Sequence, residues 1–157
     1  MNIYPTIVTL HIIFAGLWLI YFLAERILKS QIEGSSNIDL KNQSILMYIQ
    51  FSNIFGIIGA TGIAISGIVM VLLNNSFGFF SMASNHWLAT KQILFVIILV
   101  ITFALIIPTS KKIITQITAM GDNGVQKLLD KFYKQNLIIN IIVLINFIFA
   151  ITHRFYS

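Results

Sequence analysis

The residues of this chain with the greatest capacity for chemistry are three histidines and one lysine that lie in or beside apolar stretches. His11 lies about six residues into an apolar run that begins at Pro5, and Trp18 follows seven residues later on the same helical face. An ionisable side chain inside such a run is costly in lipid and marks a candidate functional site. His11 is therefore the first candidate.

Lys91 and the other two histidines lie near the ends of further apolar runs. Lys91 stands about five residues inside the run that opens with Trp87, His86 precedes that run, and His153 follows the last one. If the runs cross a membrane in alternating directions, all four ionisable side chains fall in the same, outer half. The depths of His11 and Lys91 then agree to within one helical turn. His86 and His153 are shallower and are predicted to be surface residues.

Four apolar runs position these residues. The chain has 157 residues, of which 57% are hydrophobic and 10% charged, whereas soluble domains carry about 25% charge. Runs of about 20 apolar residues predict transmembrane helices. The sequence therefore predicts an all-α integral membrane four-helix bundle, a single transmembrane domain over residues 1–157. The predicted spans are about 5–23, 47–73, 87–108 and 137–153.

The segments between the runs give three local predictions. Lys29–Ser44 is polar and contains G-S-S, which favours a flexible connector. Pro108 is predicted to end the third span. The segment at about 125–135 has one apolar stripe and is predicted to lie as an amphipathic helix along the inner leaflet. The stripe consists of Val125, Leu128, Leu129, Phe132 and Tyr133.

The charge distribution predicts the orientation in the membrane. The net charge is +5, and eight of the ten basic residues lie between the first and second or the third and fourth spans. Basic connections face the cytoplasm, so both termini are predicted to lie outside, in a bacterial inner membrane. The first span has no A-x-A cleavage site and is expected to remain in the mature protein. A basic rim at the lipid surface explains the high pI, and no nucleic-acid partner is expected.

A deep imidazole with an amine and aromatic residues nearby matches what haem b requires. Neutral imidazole is a common axial ligand of haem iron, so His11 is the predicted ligand. Lys91 or His153 is the candidate for the second axial position. Alternatively, protonated Lys91 pairs with the haem propionates together with Arg154. The chain has no cysteine, which excludes covalent c-type haem and thiolate metal sites.

Small residues recur along the second span at spacings of three and four, as at Gly56, Gly59 and Gly62. This spacing allows two helices to approach closely, and it also leaves room for a flat cofactor. Close helix packing is the preferred interpretation. Gly59 is retained as a candidate cofactor contact.

Three short motifs mark the first span, the third span and the approach to the last. They are L-H-I-I-x₅-W at Leu10–Trp18 with Arg26 after it, W-L-x-x-K at Trp87–Lys91, and F-Y-x-x-N at Phe132–Asn136. Together with the four-span layout, they resemble the HemJ-type protoporphyrinogen oxidases. The first helix, with His before Trp, is also similar to that of CopD-like membrane domains.

The resemblance implies haem b with His11 as ligand and oxidation of protoporphyrinogen IX, with a quinone or a partner protein as electron acceptor. It also implies site roles for Trp18, Arg26, Trp87 and Lys91. The family has Tyr-His near the end of the third helix, where this chain reads A-L-I-I-P at 104–108. This departure keeps a second interpretation open, a non-enzymatic haem-binding subunit for electron transfer.

Two further interpretations come from other functional classes. Met82 and His86 are four residues apart, which on a helix places both on one face. A thioether with an imidazole suits copper, so copper binding or transport in the CopD manner is one alternative, with His153 as a further ligand. The other is a cofactor-free accessory subunit of a larger membrane complex or homo-oligomer.

Overall fold

The computed structural model describes residues 3–119 and 124–156, and the side chains of all of these except Ser84 and residues 153–156. This part of the chain is helical and contains no strand. The helices are α1 (Tyr4–Gly34), α2 (Ile38–Leu73), α3 (Met82–Ile101), α4 (Ile107–Thr118) and α5 (Val125–Tyr156). Four stretches are long and apolar enough to cross a membrane: Tyr4–Gly34, Ile38–Leu73, Asn85–Thr118 and Val125–Thr152. The prediction of an all-α, four-helix membrane protein is confirmed.

The chain divides into two compact units, Met1–Asn74 and Asn75–Ser157. In the first unit α1 packs against α2, and in the second α5 packs against α3 and α4. With 31 and 36 residues, α1 and α2 are about 46 and 54 Å long. The hydrocarbon core of a bilayer is about 30 Å thick, so the hairpin of α1 and α2 extends beyond it. The prediction of a single domain stays a prediction.

The connection between α1 and α2 is much shorter than the flexible connector predicted at Lys29–Ser44. Only Ser35–Asn37 lies outside the helices. The Asn37 side chain caps α2 by accepting hydrogen bonds from the backbone N–H groups of Asp39 (2.8 Å) and Leu40 (3.3 Å). Buried apolar residues continue the helix–helix seam on both sides of the turn: Leu28, Ile32, Ile45 and Ile49. The spacing of these apolar residues is that of one face of a helix. The prediction of a flexible connector is wrong, because most of Lys29–Ser44 belongs to α1 and α2.

The helix does not end at Pro108, where the third span is predicted to end; the boundary of the span itself stays a prediction. The chain passes from α3 through a π-helical turn, Thr102–Ile106, directly into α4. Proline donates no backbone hydrogen bond, and its ring crowds the carbonyl group four residues earlier, here that of Ala104. The wider π turn accommodates this crowding. The helix therefore continues through Pro108 to Thr118.

The apolar stripe at 125–135 is covered by protein. The segment is the beginning of α5, which packs against α4. Leu129 and Phe132 are fully buried, as is Ile113 of α4, and Val125 is nearly so. The amphipathic pattern is present, and its buried side chains pack in the protein interior. The position of the segment along the inner leaflet stays a prediction.

Candidate functional site

The imidazole of His11 is held by a hydrogen bond from α1 to α2. Its Nδ1 atom lies 2.8 Å from Ser66 Oγ. Ser66 Oγ also lies within hydrogen-bond distance of the carbonyl oxygen of Gly62 one turn earlier, to which it donates. A hydroxyl group has one proton, so if Ser66 donates to Gly62 its oxygen accepts from Nδ1–H of His11. In that arrangement the lone pair of the His11 imidazole is on Nε2.

Gly67 provides the space in which the His11 ring meets α2. A Cβ atom at Gly67 would lie 3.6 Å from His11 Cε1, an ordinary van der Waals contact. One turn of α2 thus supplies both the hydroxyl group of Ser66 and a small neighbour. These two features fix the orientation of the imidazole without crowding it.

Two further glycines of α2 receive aromatic side chains of α1. Gly59 is buried, and a Cβ atom there would lie 3.4 Å from Cε3 of the buried Trp18. A Cβ atom at Gly62 would overlap the ring of Phe14. The contacts therefore show these glycines in close helix packing. The role of Gly59 as a cofactor contact stays a prediction.

A second polar cluster joins α1 and α2 nearer their connecting turn. The fully buried Tyr48 donates from its hydroxyl group to Glu25 Oε1 over 2.6 Å. The hydroxyl groups of Tyr21 and Ser52 belong to the same cluster. A hydrogen bond to a carboxylate is about twice as strong as one between neutral groups. The bond from Tyr48 therefore helps the hairpin to accommodate the carboxylate of Glu25. The neighbouring Arg26 is exposed.

Lys91 contacts Trp87 in the second unit. The Nζ atom lies 5.6 Å from the centroid of the indole ring, within the range of a cation–π interaction. Phe77 packs edge-on against the same indole, with ring centroids 5.9 Å apart and planes at 86°. Lys91 is half-buried. The first and last residues of the W-L-x-x-K motif thus form one aromatic-walled group around an amine.

Two amide side chains that the sequence analysis does not identify attach the preceding loop to α3. Gln92 Oε1 accepts from the backbone N–H of Phe80 over 2.6 Å, and Asn85 Nδ2 donates to the carbonyl oxygen of Ser76 over 2.6 Å. Phe80 has φ of 54°, which is unusual for a residue with a side chain. The feature of the sequence that could have identified these two residues is their position in the first turns of a helix that follows an uncharged loop.

The proposed copper pair does not lie on a regular helix. Met82 and His86 are both exposed, and between them Asn85 has non-helical angles, φ −148° and ψ 74°. The prediction that Met82 and His86 share one helical face is wrong, because the kink at Asn85 interrupts the helical repeat. The described residues contain no group of three or more His, Cys, Asp or Glu side chains able to hold a metal ion. The side chains of His153 and Arg154 lie outside the described part.

The structure places the predicted site residues in two groups. His11 and Trp18 lie on the seam of α1 and α2, and Trp87 and Lys91 lie together at the start of α3. That both groups serve one site stays a prediction. Comparison of the chain with protein-family models, with curated proteins and with solved structures finds no match.

Proposed function

We propose that this protein is a haem b-binding membrane oxidoreductase of the HemJ type, with His11 Nε2 as an axial ligand of the iron. The observation that carries the proposal is the hydrogen bond between His11 and Ser66. In the proposed site Ser66 accepts from Nδ1–H, so that the lone pair of the imidazole is on Nε2. Histidines that bind metals commonly donate the other ring N–H to a fixed acceptor, and Ser66 Oγ lies at the distance such an acceptor requires.

The composition of the region favours haem over a metal ion bound by side chains alone. The described residues lack a cluster of three ionisable or thiol ligands. A porphyrin brings four nitrogen ligands of its own, so that one or two protein ligands suffice. A single deep imidazole in an apolar helix pair is compatible with that requirement.

The residues have separate roles in this proposal. His11 binds the iron, and Ser66 orients the imidazole. Lys91 or His153 is the second ligand, or Lys91 and Arg154 pair with the propionates. When bound, the haem supplies the redox chemistry by which electrons pass from a porphyrinogen to a quinone. Arg26, Trp18 and Trp87 are candidate contacts of the substrate.

The enzymatic part of the proposal is tested with the purified, haem-loaded protein. Protoporphyrinogen IX and a short-chain quinone are added, and the appearance of protoporphyrin is followed by its fluorescence. Faster formation than without protein is expected, and this acceleration should be lost in His11→Ala. Haem without any acceleration would remove the enzymatic assignment and leave the non-enzymatic electron-transfer subunit.

Ser66→Ala is expected to lower haem affinity by about 10–100-fold, the usual effect of removing a group that orients a ligating histidine. Without the hydroxyl group, both tautomers and ring orientations of His11 become accessible. Affinity is measured by titrating the haem-free protein and following the absorption spectrum. Ser66→Thr retains a hydroxyl group and should restore most of the affinity.

Ser44→Ala is the matched control for Ser66→Ala. Ser44 Oγ donates to the carbonyl oxygen of Leu40 over 2.9 Å, the same bond to the preceding turn that Ser66 makes. Loss of such a bond alone should leave haem affinity unchanged. Equal losses in both variants would mean that Ser66 acts only on the helix.

A further inference from the structure

Each unit has a turn that connects its long helices, and the residues at the two turns differ in charge. The first unit has equal numbers of basic and acidic residues there, namely Arg26, Lys29 and Lys41 with Glu25, Glu33 and Asp39. The second unit has five lysines and two aspartates at its turn: Lys111, Lys112, Lys127, Lys131 and Lys134 with Asp122 and Asp130. We call these five lysines the lysine cluster. The excess of positive charge therefore belongs to the second unit.

The lysine cluster is exposed on two helices that pack against each other. All five side chains are exposed, while Ile113, Leu129 and Phe132 of the same two helices are fully buried. In the first unit Lys29 forms an ion pair with Glu33 over 3.8 Å. Within the described residues, no lysine of the cluster has a carboxylate within ion-pair distance. These amines are therefore available to an external anion.

The lengths of the helices place the cluster at the level of lipid headgroups. Counted along the helix from Trp87, Lys111 lies about 36 Å away, and Lys131 lies about 32 Å from Thr152. The hydrocarbon core is about 30 Å thick, and the headgroup regions bring the bilayer to about 40–45 Å. Helices that start at one boundary of the core therefore bring these lysines into the headgroup region at the other.

We propose that the lysine cluster binds the phosphate groups of anionic phospholipids in the leaflet at this end of the second unit. Lipid is favoured over an acidic protein because the amines lie at the depth of the phosphates and because the apolar residues beneath them are already covered. Each lysine or arginine close to an anionic membrane surface raises the affinity of a protein for that surface by about fivefold. The proposal does not depend on the haem.

The test uses the full protein in phosphatidylcholine vesicles that contain a trace of spin-labelled phosphatidylglycerol or spin-labelled phosphatidylcholine. The motionally restricted fraction of each label, measured by electron spin resonance, gives the relative affinity of the two lipids. Wild-type protein is expected to prefer phosphatidylglycerol several-fold, and this preference should weaken at high salt. The variant Lys127→Gln, Lys131→Gln, Lys134→Gln should lose most of it.

The control is the variant Lys29→Gln, Glu33→Gln, which removes the ion pair of the first unit without changing its net charge. It should keep the preference, because Lys29 and Glu33 together contribute no net charge. Equal losses in the two variants would overturn the assignment to the lysine cluster. No preference in the wild-type protein would overturn the proposal itself and leave the cluster for an acidic macromolecule.

Discussion

His11→Ala is expected to lower the haem content of the purified protein by at least about tenfold, a minimum set by the effect of residues that only orient a ligand. The iron would lose its axial ligand, while the helix would gain a residue that lipid accepts more readily. Haem content is measured by the pyridine haemochrome assay against protein concentration. Circular dichroism of the same samples should show unchanged helix content.

His86→Ala is the control for the loss of an imidazole. Because His86 is exposed, the His86→Ala protein should retain its haem. Lys91→Ala separates the two roles left open for that residue, since loss of a ligand changes the absorption spectrum, whereas loss of a partner for the propionates lowers affinity with the same spectrum. Wild-type haem content in His11→Ala, with haem lost in His153→Ala, would contradict the ligand assignment.

Gly62→Ala is expected to destabilise the hairpin of α1 and α2 by about 1–3 kcal/mol, the usual range for overpacking a filled interior. The added methyl group would overlap the ring of Phe14. Relief requires that the aromatic ring or the backbone of one helix moves away. The measurement is the midpoint of thermal aggregation of the haem-free protein in detergent, so that loss of cofactor does not contribute.

Gly56→Ala provides a matched control on the same helix. A Cβ atom at Gly56 would meet no atom within 4 Å, and alanine is the better helix former. This variant should be neutral or slightly more stable. Equal destabilisation by both substitutions would show that the glycines matter for backbone flexibility and not for the close approach of the helices.

The fold class could be predicted because it follows from the length and polarity of long runs. Apolar stretches of this length cross a membrane as helices, because helices satisfy their own backbone hydrogen bonds, and the structure has four such helices. The ends of the helices were harder to predict. The polar surface of Lys29–Ser44 concealed the apolar seam at Ile32 and Ile45, and Pro108 was accommodated by a π turn that composition does not reveal.

The candidate site was predictable only as far as residue type and depth allow. His11 is conspicuous as an imidazole in an apolar run, but Ser66 is a common residue in a span rich in small side chains. Identifying it as the partner requires the register of α1 against α2. That register depends on the short turn at Ser35–Asn37, where a flexible connector had been predicted and no register is defined.

The most direct test of the central claim is the absorption spectrum of the purified membrane protein in its oxidised and dithionite-reduced states. A haem b bound through His11 predicts a Soret band in both states and resolved α and β bands after reduction. These features should be strongly diminished in His11→Ala and preserved in His86→Ala. A colourless protein that leaves the absorption spectrum of added haemin unchanged, under conditions in which its helices are intact, would contradict the account.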